Sequence, residues 1–158
     1  MIERKTISQK WKTQIQHEIE VTCITPIMTS EKKVDLYTVS VQAGEPTPAD
    51  ESKEGRLDLN AHLVGDPQNT FFVRVSGHSM IDAGIHDGDL LIVDRQKPVV
   101  SGRIIIAVVN GDLTVKRIYM GEDKIILCPE NPDFSAIEIS NDNDFMTLGV
   151  VTNVIHSL

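Results

Sequence analysis

Hydrophobic residues in the second half of the chain come in short bursts rich in Val, Ile and Leu, separated by Gly, Asn, Asp and Pro. That punctuation predicts strands over 71–75, 90–93, 103–109, 113–120, 124–128, 137–139 and 145–155. The clearest hairpin is at Asn110-Gly111, between two β-branched runs, because a two-residue type I′ turn needs positive φ at both central positions. Upstream the pattern is weaker. Ile7, Trp11, Ile15 and Ile19 recur every four residues and predict one face of a short amphipathic helix. Residues 21–28 read as a strand interrupted by Pro26, and 34–41 as an extended segment. The stretch 45–55 holds two prolines, four acids and no large apolar residue, the composition of a solvated linker. Asp58 is placed to cap a short helix carrying Leu59, Leu63 and Val64, which Gly65 and Pro67 end.

Composition agrees with a β fold. The chain has 158 residues, enough for one domain and an extension, and only 4% of them are aromatic, so the core falls to aliphatic side chains that favour strands. Charge is uneven. Residues 1–33 hold six Lys or Arg against four Glu, whereas 34–158 hold nine against nineteen acids. An acidic body repels phosphate, which argues against direct DNA binding by the folded part. Cys23 and Cys128 have no CxxC or His-rich neighbourhood, so neither a zinc site nor a disulfide framework is expected, and a reducing cytosol fits. The longest apolar run, 104–109, has six residues, far short of a membrane span. No internal repeat is present.

The candidate chemistry centres on Ser79. It follows a predicted strand and Gly77, ahead of the apolar pair Met80 and Ile81, in a turn closed by Gly84, Asp87, Gly88 and Asp89. Such a serine is either a turn residue bonded to its own backbone or a rigidly mounted nucleophile. Lys116, within LTVKRIYM, alternates to the face opposite Val115 and Arg117, which it shares with Thr114 and Ile118. It is either an exposed strand lysine or an inward one, whose desolvation favours the neutral amine and makes it a base. His62, His86 and the Asp87/Asp89 pair do not form an oxygen-rich loop of calcium-site spacing and are read as turn and surface residues, with no metal expected.

Ser-Gly-His-Ser-Met (76–80), Asp-Gly-Asp-Leu-Leu (87–91) and Thr-Val-Lys (114–116), with Ser79 and Lys116 37 positions apart, resemble the self-cleaving Ser/Lys domain shared by LexA-type repressors and UmuD. The similarity covers roughly residues 34–158. It implies a mainly β fold, a twisted LexA/signal-peptidase-like sheet with short helices and an extended N-terminal arm. It implies that Ser79 is the nucleophile, Lys116 the general base and acid, and Ala43-Gly44 the scissile bond. The residues agree with that last role: Ala43 is small enough for a tight pocket, and Gly44 lets a kinked backbone approach the serine. The other Ala-Gly pair, Ala83-Gly84, lies too near Ser79 in the same turn to reach it productively. The resemblance also points to the backbone N–H groups of His78 and Ser79 as the oxyanion hole. Using the His78 side chain as base instead would require adjacent turn side chains to converge, which they rarely do.

With 43 residues before Gly44, the arrangement looks more like UmuD than like repressors carrying a winged helix-turn-helix. Arg56-Leu57-Asp58-Leu59-Asn60 and Ser79-Met80-Ile81-Asp82 point the same way, whereas residues 1–30 find no counterpart. The resulting division is an arm over 1–43, a linker over 44–55 and a peptidase-like β domain over 56–158. What the resemblance implies is a cytosolic homodimer in the SOS response, without a cofactor, that cuts itself when a RecA filament on single-stranded DNA favours the cleavable pose. The shortened form would then join a UmuC-like Y-family polymerase in translesion synthesis. The alternatives are a LexA-like or phage-borne self-cleaving switch and, from another class, a signal-peptidase-type enzyme acting on other chains.

Overall fold

The computed structural model describes residues 20–26, 33–37 and 53–158. The predicted helix around Ile7 to Ile19, the bond Ala43-Gly44 and most of the segment read as linker lie outside them. Within the described residues the elements are β1 (Glu20–Pro26), β2 (Lys33–Tyr37), β3 (Lys53–Asp58), α1 (Leu59–Leu63), β4 (Thr70–Ser76), a 3₁₀ turn (Ile81–Ala83), β5 (Leu90–Asp94), β6 (Ile104–Val109), β7 (Asp112–Met120), β8 (Ile125–Cys128), β9 (Ile137–Ile139) and β10 (Phe145–Ile155). The fold is mainly β, as expected.

Among the described residues, eight strands form one antiparallel sheet in the order β1-β4-β5-β10-β6-β7-β8-β9, and β2 and β3 form a separate ribbon. β1 also lies against β7, so the sheet curls and brings the β4 end toward β7. β10 is central, paired with β6 along its first half and β5 along its second, with a register shift on each side. Such bulges add local twist and bend the sheet.

The strands follow from the sequence with few exceptions. At the β6–β7 hairpin Asn110 and Gly111 take φ of 50° and 92°, as the type I′ turn requires. Asp58 caps α1 by accepting from the N–H groups of Asn60 and Ala61, and the helix stops at Leu63 with Val64 already extended. Two differences stand out. Lys53, Glu54 and Gly55 belong to β3, although composition placed them in the linker: pairing with β2, rather than burial of apolar side chains, extends the strand back across Gly55 opposite Leu36. And simple in-out alternation fails at the centre of the sheet. Leu91, Ile92 and Val93 of β5 and Ile105, Ile106 and Ala107 of β6 are all fully buried, since both faces are covered. Ile106 packs into a cluster with Val73, Val75, Met80, Leu91 and Val115, while Ile105 and Ala107 pack into another with Ile118, Leu127 and Val150. No helix among the described residues is long and apolar enough to cross a membrane.

Candidate active site

The curl of the sheet sets the turn after β4 against β7. Ser79 and Lys116 are both fully buried, and Lys116 Nζ donates to Ser79 Oγ at 3.1 Å. The same amine donates to Thr114 Oγ1 at 3.0 Å, two positions earlier on the same face of β7. Thr114 is itself buried, so it holds Nζ in one place from within the strand.

The serine turn is tied down on every side. Gly77, at φ 96°, donates its N–H to Asp87 Oδ1 at 2.8 Å. Met80 is fully buried and its carbonyl accepts from the N–H groups of Ala83 (3.1 Å) and Ile85 (3.2 Å), which winds the 3₁₀ turn against the core. A second loop clasps the turn from outside. Glu130 N–H donates to the Ser79 carbonyl at 2.8 Å, the Glu130 carbonyl accepts from Asp82 N–H at 2.8 Å, and Asn131 Nδ2 donates to the His78 carbonyl at 2.9 Å. Arg117 anchors that loop, pairing through Nε with the Glu130 carboxylate and through its terminal nitrogen with the Gly102 carbonyl at 2.6 Å. β7 thus serves the site from both faces: Lys116 meets the serine, and Arg117 holds the loop that holds the serine.

Among the described residues, no hydrogen bond takes up the backbone N–H of His78 or of Ser79. Two free donors beside a buried hydroxyl are what an oxyanion site needs. The His78 side chain is exposed and makes no bond to Ser79 Oγ, so the geometry does not support it as a base. Beside the turn lies an open cleft of about 400 Å³ lined by Asp82, Cys128, Pro129, Glu130, Asn131, Pro132, Phe134 and Ala136.

Ser79 and Lys116, 37 positions apart in sequence, are therefore brought together, while the position of Ala43-Gly44 lies outside the described residues. Of the residues weighed for a metal, His62 lines a separate cavity and Asp87 is engaged with Gly77. Arg117, Glu130 and Asn131 stand outside every motif of the sequence. Arg117 adjoins Lys116 in the strand, but nothing local marks Glu130 or Asn131, whose value lies in the loop's approach across the sheet to a turn some fifty residues upstream.

Chemically, a buried amine touching a buried hydroxyl can remove its proton when the amine is neutral. The contact then runs the other way, the serine O–H donating to the nitrogen lone pair while Thr114 still accepts an N–H.

Comparison with known proteins gives the family. The profile described as Peptidase S24-like matches residues 35–152. Protein SamA of Salmonella typhimurium is 40% identical over 121 residues, 77% of this chain and 84% of SamA. Protein MucA of Escherichia coli is 40% identical over 126 residues, 79% of this chain and 84% of MucA. The LexA repressor of Xylella fastidiosa is 35% identical over 153 residues, 96% of this chain and 72% of the repressor.

Proposed function

This chain belongs to the Peptidase S24-like family, with relatives of the UmuD type, and on that premise we propose that it is a self-cleaving serine peptidase of the DNA-damage response, with Ser79 as nucleophile and Lys116 as base. The observation that carries the reading is the 3.1 Å contact between two fully buried side chains. Burial disfavours the ammonium form of a lysine, and as a neutral amine it is the activating group that a serine without a histidine requires.

In the proposed reaction Lys116 Nζ takes the Ser79 hydroxyl proton as Oγ attacks the Ala43 carbonyl carbon. The oxygen of that carbonyl becomes an oxyanion between the N–H groups of His78 and Ser79. Collapse breaks the Ala43-Gly44 bond, and the ammonium of Lys116 returns the proton to the Gly44 amine, leaving Ala43 esterified to Ser79. A water, deprotonated by the same amine, hydrolyses the ester and restores the hydroxyl. All protons pass through one nitrogen, which Thr114 orients.

A RecA filament on single-stranded DNA needs to add no catalytic group: it favours the conformer with Ala43-Gly44 docked against the serine. The fragment from Gly44 onward, as a cytoplasmic homodimer, then joins a UmuC-like Y-family polymerase in translesion synthesis. A second reading, a LexA-like or phage-borne switch, draws on the similarity to a LexA repressor over 96% of the chain. Incubation with RecA, ATP and single-stranded DNA, followed by N-terminal sequencing of the product, tests the first reading. A new N-terminus at Gly44 supports it, and a chain that stays whole, or is cut elsewhere, refutes it. Co-purification of the fragment with a Y-family polymerase separates the two readings.

A further inference from the structure

Away from Ser79 and Lys116 the ends of β5 and β10 bring together three side chains that the proposed reaction does not use. The ladder pairs Ile155 with Leu90, so the next residues outward, His156 and Asp89, face each other although they are 67 positions apart. His156 Nδ1 lies 2.6 Å from Asp89 Oδ1. His86 closes the group from the preceding turn: its backbone N–H donates to Asp89 Oδ2 at 2.7 Å, and its ring Nδ1 lies 3.8 Å from that same oxygen. The two imidazoles are 4.9 Å apart between centroids, and the three ligand atoms all lie within 4.8 Å of one another.

Two features go beyond an ordinary ion pair. Asp89 is only 3% exposed, and its two carboxylate oxygens are held apart, one by the His86 N–H and the other by the His156 ring. An Asp89–His156 pair accounts for those two residues. It leaves His86 Nδ1, a buried ring nitrogen without a hydrogen-bond partner among the described residues, unexplained. A cation between the rings would engage all three.

We propose that His86, Asp89 and His156 form a binding site for a divalent transition-metal ion of the zinc type. Two imidazole nitrogens and one carboxylate oxygen are a donor set that zinc accepts with a fourth position left to water, whereas calcium and magnesium prefer oxygen alone. The half-exposed imidazole rings leave an entry path, while the carboxylate of Asp89 supplies an oxygen ligand. The bound ion clips the end of β10 to the 84–89 turn. That turn is bonded to the serine turn through Asp87 to Gly77 and Ile85 to Met80, so the ion also stiffens the mount of Ser79. The proposal stands on this cluster and not on the peptidase reading.

Calorimetric titration of the EDTA-treated full chain with Zn²⁺, paired with the visible ligand-field spectrum of added Co²⁺, is the test. One equivalent should bind. His86→Ala and His156→Ala should each weaken it by at least the roughly 10–100-fold that loss of even an outer partner costs, and His62→Ala should not. Both rings are near the surface, so the variants should fold, which circular dichroism checks; if His156→Ala loosens the strand end, His156→Gln carries the same test. Absence of a one-to-one Zn²⁺ complex, or one that survives loss of both imidazoles, overturns the proposal.

Discussion

Replacing Thr114 by Val removes one hydroxyl at nearly constant shape and isolates what that hydroxyl does for Lys116. That hydroxyl accepts from Nζ at 3.0 Å inside a buried site. A buried hydrogen bond of this kind contributes about 0.5–1.5 kcal/mol net between neutral partners and about 1.5–3 kcal/mol when one is charged. Stability should therefore fall by about 1 kcal/mol, or about 2–4 °C in Tm for a chain of this size. The effect on rate should be larger, because the orientation of Nζ is needed most when it takes the serine proton. A loss of about 1.5–3 kcal/mol there slows cleavage roughly 10- to 100-fold. The pH profile adds a signature. An acceptor favours the ammonium form over the amine, so its removal should move the rate midpoint to lower pH while the plateau falls. The assay is the disappearance of intact chain at pH values up to ~10, where amines deprotonate, resolved by gel or mass spectrometry, with Thr114→Ser as the variant that keeps the hydroxyl. A folded Thr114→Val protein that cuts as fast as the parent would refute the positioning role. Equal slowing in Thr114→Ser would assign the effect to packing of the methyl group.

Three further outcomes are expected. Ser79→Ala and Lys116→Met should each abolish cleavage, with the Ser79→Ala melting curve within about 1–2 kcal/mol of the parent, whereas a Lys116→Met chain that still cuts at the parental rate would eliminate the proposed base. Asn131→Ala, which leaves the His78 carbonyl with only the Ile81 N–H, should slow cleavage by up to about tenfold at a stability cost near 1 kcal/mol, read from paired time courses and thermal melts. Gly149→Ala should destabilise by about 1–3 kcal/mol in urea unfolding, because its new Cβ would stand 2.7 Å from Val93 Cγ1 and 2.9 Å from the Asp94 carbonyl, where backbone cannot yield; parental stability would show that β10 relaxes.

Most strands were legible because their signals are local. Asn110-Gly111 specifies its turn through backbone sterics, Asp58 caps α1 within three residues, and β-branched runs between Gly, Pro and Asp become strands wherever they can pair. The motifs around Ser79 and Lys116 were legible too, though only as residue types at a spacing. Sequence could not decide whether Lys116 faces water or the interior, since strand alternation says that it opposes Val115 but not what covers either face. That choice belongs to the curled sheet, which sets the turn after β4 against β7 and removes water from both side chains. The same holds for the Glu130 and Asn131 clasp, and for His156 meeting Asp89 across 67 positions. Local residue patterns suffice for the set of strands, the turn that mounts the serine and the kind of chemistry on offer. Which side chains meet, and which lose their water, depends on the closed sheet. Burial and contact between distant strands are properties of how the sheet closes, and no local segment encodes them.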